Sequence, residues 1–121
     1  MAVDATPETF ASLVGDGIVL VDFWGPRCQP CLALMPAVEA LEESYEGRLT
    51  LVKVNAPENR QVCRDLRVFG LPTYVLYRDG AEVERLTGDP SRADIETAVR
   101  TSHHPGTAVP EGADVLAPDA A

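Results

Sequence analysis

Ile18-Val19-Leu20-Val21-Asp22-Phe23-Trp24-Gly25-Pro26-Arg27-Cys28-Gln29-Pro30-Cys31 decides the fold. From Ile18 to Trp24 the chain is almost continuously apolar and rich in β-branched residues. That pattern predicts a strand buried on both faces, as in the middle of a parallel sheet. From Cys28 to about Tyr45 the period changes: Cys31, Met35, Val38, Leu41 and Tyr45 fall in one stripe at helical spacing. Pro36 sits inside this helix, removes the bond to the Leu32 carbonyl and predicts a kink. Two cysteines, two residues apart, therefore stand where a buried strand hands over to a helix.

That placement has chemical consequences. At a helix N-terminus the unpaired N–H groups and the helix dipole favour a thiolate, so Cys28 reads as a nucleophile near neutral pH. Cys31 lies about one turn further on, within reach of a disulfide and placed to resolve a mixed one. The C-terminal end of a central strand is also where α/β sheets place their sites. A zinc or iron–sulfur centre is a competing reading, and it needs about four soft ligands. Only Cys63, His103 and His104 remain to supply them, and both histidines read as tail. Pro30 also removes an N–H that would bond a metal-bound sulfur. An inert pair of core cysteines is a third reading.

Asp22 interrupts the apolar strand six residues before Cys28. A carboxylate buried there has its pKa raised by desolvation, which suits a proton acceptor near pH 7. The alternative is an edge-facing, solvated aspartate. Lys53, the only lysine among ten basic residues, lies on the next predicted strand and is placed to reach the same pocket; a coding bias toward arginine also explains its rarity.

Outward from this centre, Thr6-Pro7 reads as a helix start, with Phe10, Leu13 and Val14 as the apolar face and Gly15 or Gly17 as the stop. Leu49 to Val54 is a second buried-type strand, which completes a right-handed parallel crossover. Glu58 to Leu66 reads as a short helix. Leu71-Pro72-Thr73 opens a third strand; a cis bond there would expose the Leu71 backbone beside the thiols. Thr73 to Arg78 and Glu82 to Thr87 flank Asp79-Gly80, a hairpin signal. Ser91 to Asp94 resembles a capping box before a helix faced by Ile95 and Val99. The fold class is α/β, with a domain over residues 1–102. Residues 103–121, rich in Pro, Gly, Ala and acidic residues without periodicity, read as a disordered acidic tail.

Bulk properties narrow the function. A chain of 121 residues fits one domain, and 45% hydrophobic content fits a folded one. The net charge of −9 leaves no basic stripe for nucleic acid and repels anionic membranes. No apolar stretch approaches the roughly 20 residues of a bilayer span. The N-terminus shows neither a basic region with an apolar run nor a transit pattern, so the expected compartment is the reducing cytoplasm. There, a close cysteine pair reads as catalytic or metal-binding.

In these motifs the chain resembles the thioredoxin family, from about Ala5 to Thr101. Val21-Asp22-Phe23-Trp24, Cys28-x-Pro30-Cys31, Pro36, Lys53, Gly70-Leu71-Pro72-Thr73, Asp79-Gly80 and Gly88 fall in the family's order. The resemblance implies a thioredoxin fold: a central mixed sheet flanked by helices, a parallel βαβ unit followed by a ββα unit. It implies a cis peptide at Pro72, with Leu71 pairing with the substrate backbone. It implies attack by Cys28, resolution by Cys31, help from Asp22 through water, and a brace from Trp24. The departures are Arg27 for the usual tryptophan, Gln29 for glycine and Leu32 for lysine. Arg27 puts a cation beside the nucleophile and removes an aromatic platform, or is simply a solvated loop charge.

The reading is therefore a protein-disulfide reductase. Its catalytic residues are Cys28, Cys31 and Asp22. Its substrate surface is Trp24, Arg27, Gln29, Pro30, Leu71 and Pro72, and Lys53 supports it. No cofactor or metal is called for. Expected partners are disulfide-containing proteins and a thioredoxin reductase as electron donor. The alternative is a non-catalytic thioredoxin-fold module that holds a partner. Cys63 is either a small buried hydrophobe or a regulatory thiol.

Overall fold

The computed structural model describes residues 2–104. In chain order its elements are β1 (Val3–Asp4), α1 (Phe10–Leu13), β2 (Ile18–Trp24), α2 (Gln29–Ser44), β3 (Thr50–Asn55), a 3₁₀ turn (Ala56–Glu58), α3 (Arg60–Asp65), β4 (Thr73–Arg78), β5 (Ala81–Leu86) and α4 (Arg92–Ser102). The sheet runs β1-β3-β2-β4-β5. β2 pairs in parallel with β3 and antiparallel with β4, and β5 closes the other edge antiparallel to β4.

The continuous apolar run of β2 has its cause in burial on both faces. Val19, Val21 and Phe23 pack with Val52, Val54 and Val75 against Phe10, Val62 and Cys63, on the α1 and α3 side. Leu20 points the other way, with Leu51, Tyr74 and Leu76 against Val38, Ile95 and Val99 of α2 and α4. Strand side chains alternate faces, so Asp22 lies on the α2 and α4 face, in line with Leu20.

Local chemistry sets the ends. Asp79 and Gly80 both take positive φ, 50° and 88°, which a two-residue hairpin of matching twist requires. Asp79 also accepts the Gly17 N–H at 2.9 Å, which ties the hairpin to the start of β2. The capping box of α4 is formed: Ser91 Oγ accepts the Asp94 N–H at 3.1 Å, and Asp94 accepts the Ser91 N–H at 2.9 Å. Ser91→Ala removes one arm, and denaturant unfolding of the full chain is expected to show a loss of about 1 kcal/mol.

The structure differs from the sequence reading at several ends. β1 was not anticipated. The first helix begins later than Thr6-Pro7, because Thr6 and Thr9 close a turn of their own, with the Thr9 N–H on Thr6 Oγ1 at 3.3 Å. Regular helix then covers only Phe10–Leu13. The helix expected over 58–66 is divided into the 3₁₀ turn and α3. α2 continues across Pro36.

His103, assigned to the tail, instead caps α4. Its ring stacks on Tyr45 at 4.6 Å, Nε2 lies 2.6 Å from the Arg48 carbonyl and Nδ1 2.9 Å from that of Val99. The disorder expected of the tail falls, from residue 105 on, outside the described residues.

Candidate active site

The loop Gly25 to Arg27 turns the chain from β2 into α2, and the Cys28 N–H donates to the Gly25 carbonyl at 3.0 Å. Cys28 is the N-cap of α2, in extended backbone, and its Sγ accepts the Cys31 N–H at 3.2 Å. Its sulfur thus occupies the position where a helix stabilises negative charge. Pro30 sits within the first turn, where its missing N–H leaves no helical bond unmade. Cys28 and Cys31 form a disulfide with Cα atoms 5.2 Å apart. The two cysteines are not equivalent: Cys28 is part-exposed, whereas Cys31 is 0% exposed.

Gly25, Pro26, Arg27 and Cys28 line a groove of about 500 Å³ together with Pro57 and Leu71. Gly25 packs closely here: a Cβ there would lie 3.3 Å from Leu71 Cδ1, so that side chain would have to shift slightly. The Leu71–Pro72 peptide is cis, as the resemblance implied. Arg27, Gln29 and Pro30 are exposed, and so is Leu32 in the first turn of α2. Trp24 is not in the groove. It lines a separate cavity of about 240 Å³ with Asp4, Lys53, Asn55 and Glu58.

Asp22 is 0% exposed, which rules out the solvated alternative. Among the described residues neither carboxyl oxygen has a hydrogen-bond partner. Burial pushes its pKa from 3.8 up to about 7, against the pull of Lys53 and with a further push from Glu39. Lys53 is its register partner on β3 and Tyr74 its partner on β4. Lys53 does not bond Asp22, however. Its Nζ donates to Glu39 Oε2 at 2.7 Å, and this bond raises the lysine's pKa. Burial, with the neighbouring Asp22 charge, likewise raises the Tyr74 phenol.

Glu39 and Tyr74 were missed from sequence. Glu39 looks like any solvated helix carboxylate, and only its position eight residues after Cys31 pointed inward. Tyr74 looks like an ordinary strand aromatic. Removing the Glu39 carboxylate frees the Lys53 ammonium to act on Asp22 and deletes a like charge. Glu39→Gln is therefore expected to move the pH midpoint of reaction steps that use Asp22 downward, which a pH–rate profile from 5 to 9 would show. An unmoved midpoint would disconnect Glu39 from the site.

Cys63 is buried, with its thiol pKa raised by that burial, so it matches the small-hydrophobe reading. Among the described residues no cluster of His, Cys, Asp or Glu is arranged to hold a metal ion. His103, one of the ligands considered, is committed to two carbonyl oxygens at the far end of α2.

A cysteine pair at the head of a helix, one residue part-exposed and the other buried, with a buried carboxylate in the strand that leads into it, fits a thiol–disulfide oxidoreductase. Comparison with known proteins gives the same class. The Thioredoxin family profile matches residues 1–101. The chain is 38% identical to a thioredoxin of Acetoanaerobium sticklandii over 96 residues, 77% of this chain and 91% of that one. It is 38% identical to thioredoxin 1 of Nostoc sp. over 89 residues, 72% and 83% of the two chains. It is 35% identical to the thioredoxin of Bacillus subtilis over 86 residues, 71% and 83%. The chain belongs to the thioredoxin family, whose chemistry is thiol–disulfide exchange on proteins. No helix of the described residues is long and apolar enough to cross a membrane.

Proposed function

We propose that this chain reduces protein disulfides with Cys28 as attacking and Cys31 as resolving thiol. The observation that carries the assignment is the unequal exposure of the two cysteines: Cys28, at the α2 N-cap, is part-exposed, whereas Cys31 is fully buried. The Cys28 thiolate attacks one sulfur of a substrate disulfide; a Cys28–substrate bond forms and the other substrate sulfur leaves as a thiolate. Cys31 then loses its proton and attacks Cys28 Sγ. The second substrate thiolate leaves, and the Cys28–Cys31 disulfide remains. Two electrons have passed to the substrate, whose thiolates take up protons.

Asp22 is the acceptor of the Cys31 proton, through water. Its buried carboxyl, held near pH 7 by its surroundings, suits this task. Lys53 supports it by charge, and Trp24 braces the strand end. Leu71 and Pro72 form the substrate wall opposite Cys28, while Arg27, Gln29 and Pro30 supply the exposed rim. The working unit ends with α4, and the acidic tail beyond it takes no part in the chemistry. A thioredoxin reductase returns the electrons, in a reducing compartment such as the cytoplasm, because a dithiol reductase works only where its own disulfide is recharged.

The test is turnover. Full-length protein with dithiothreitol as electron source is expected to reduce an accessible interchain disulfide of a protein many times per molecule. Binding without turnover would instead make the chain a partner-holding module.

A further inference from the structure

Tyr74 carries a hydroxyl into an apolar cluster. Its side chain is 1% exposed and packs with Leu20, Leu76, Val38, Ile95 and Val99. Its partner on β5 is Leu86, which offers no polar atom from its side chain. The hydroxyl is buried and, among the described residues, has no hydrogen-bond partner. A phenylalanine would fill the same space without the cost of burying that oxygen.

The register partner of Tyr74 on β2 is Asp22. Directly opposed residues of an antiparallel pair point to one face, with Cβ atoms about 5 Å apart. Both Asp22 oxygens are buried and likewise without a partner among the described residues. The other charged and titratable groups on this face are engaged. From β3, Lys53 Nζ donates to Glu39 Oε2 of α2 at 2.7 Å. Glu42 of α2 accepts the Leu51 N–H at 3.0 Å, and Cys31 is held in its disulfide. α4 presents Ile95, Ala98 and Val99, none of which titrates. One phenolic donor and two carboxylate acceptors thus stand on neighbouring strands, each buried and each without a partner. A buried water takes two to four such partners, and these three atoms supply them.

We propose that Tyr74 is a positioning residue for the resolving step: its phenol donates to a water shared with the Asp22 carboxylate and holds that water in line for the Cys31 proton. This role rests on Asp22 as the proton acceptor. The Cys31 thiol gives its proton to the water, the water gives one to the carboxylate, and the Cys31 thiolate attacks Cys28 Sγ. The phenol keeps its own proton throughout, because burial and the Asp22 charge both favour its neutral form. A donor aimed at the ionised carboxyl favours that form, so Tyr74 holds the Asp22 midpoint below the value that burial without it would give.

Tyr74→Phe removes one oxygen and keeps the packing volume. The test follows the Asp22 carboxyl by NMR in full-length oxidised protein labelled with carbon-13 aspartate, from pH 4 to 10. In Tyr74→Phe its midpoint is expected to rise by about one pH unit. Tyr77→Phe, which loses a hydroxyl of the same strand from the opposite face, leaves the midpoint in place. Rapid quench at pH 7 then measures the decay of the Cys28-linked mixed disulfide. Decay slows about fivefold in Tyr74→Phe, and its pH profile moves up with the resonance, while formation of the mixed disulfide is unchanged.

An Asp22 midpoint that stays or falls in Tyr74→Phe overturns the proposal, and so does an equal rise in Tyr77→Phe. A raised midpoint with decay at the wild-type rate also overturns it, since the contact then has no part in resolution. Decay at the wild-type rate in Asp22→Asn removes the acceptor reading, and the role of Tyr74 with it. The carboxyl titration reports the Tyr74–Asp22 contact independently of catalysis, so the two failures are told apart.

Discussion

Cys31→Ser protein, reduced and mixed with a disulfide-bearing protein, is expected to accumulate covalent complexes through Cys28, while Cys28→Ser forms none and turns nothing over. The difference follows from position. Cys28 is exposed at the head of α2, so it still attacks when Cys31 is gone. The mixed disulfide then persists, because the only group placed to displace it is missing. Cys31 is 0% exposed and cannot meet an external disulfide in its place. Cys63 is buried in the core against Val62 and Val68 and does not substitute either. Non-reducing gels with mass mapping read the result directly. Equal behaviour of the two variants would show that attack and resolution are not divided between these sulfurs.

Asp22→Asn is expected to remove a steep pH dependence of stability. The carboxyl titrates at about 7 in the fold against an ordinary 3.8. Between those values the unfolded chain has already lost this proton while the folded protein keeps it. Stability from this group is therefore complete below about pH 4 and falls as pH rises toward 7, by up to ~4 kcal/mol in the oxidised protein. The amide stays neutral throughout. At pH 8 the variant is expected to be more stable by ~1–3 kcal/mol, since the buried amide itself lacks full hydrogen bonding. At pH 4 the gain disappears. The same substitution is expected to slow resolution by Cys31 at least ~tenfold at pH 7, because it removes the proposed proton acceptor. Denaturation curves at both pH values, with rapid-quench kinetics, separate the two effects. A stability difference that does not change with pH would show that Asp22 ionises normally.

Much of this was legible in the residues, for identifiable reasons. β2, the β4–β5 hairpin and the α4 cap each rest on local rules: a two-sided apolar run, a turn needing two positive φ angles, and a reciprocal side-chain cap. Asp22 was legible because it breaks the apolar run of β2, and Cys28 and Cys31 because they stand two residues apart where that strand hands over to a helix. β1 was not, since two exposed residues have no period and become a strand only by pairing with β3. Glu42 was hidden as well. It lies on the buried stripe of α2, where its carboxylate accepts the Leu51 N–H at 3.0 Å, a partner supplied by a strand nine residues away. The ion pair of Glu39 with Lys53 and the register of Tyr74 with Asp22 are likewise properties of assembled elements, not of any window of sequence.

The most direct test of the central claim is alkylation of the reduced full-length protein by iodoacetamide at pH 7, with modified residues mapped and disulfide reduction measured on the same samples. The account predicts that Cys28 is labelled first, that Cys31 and Cys63 are protected, and that activity falls in proportion to Cys28 modification until none remains. Substantial activity after complete modification of Cys28, or loss of activity tracking Cys63 instead, would contradict it.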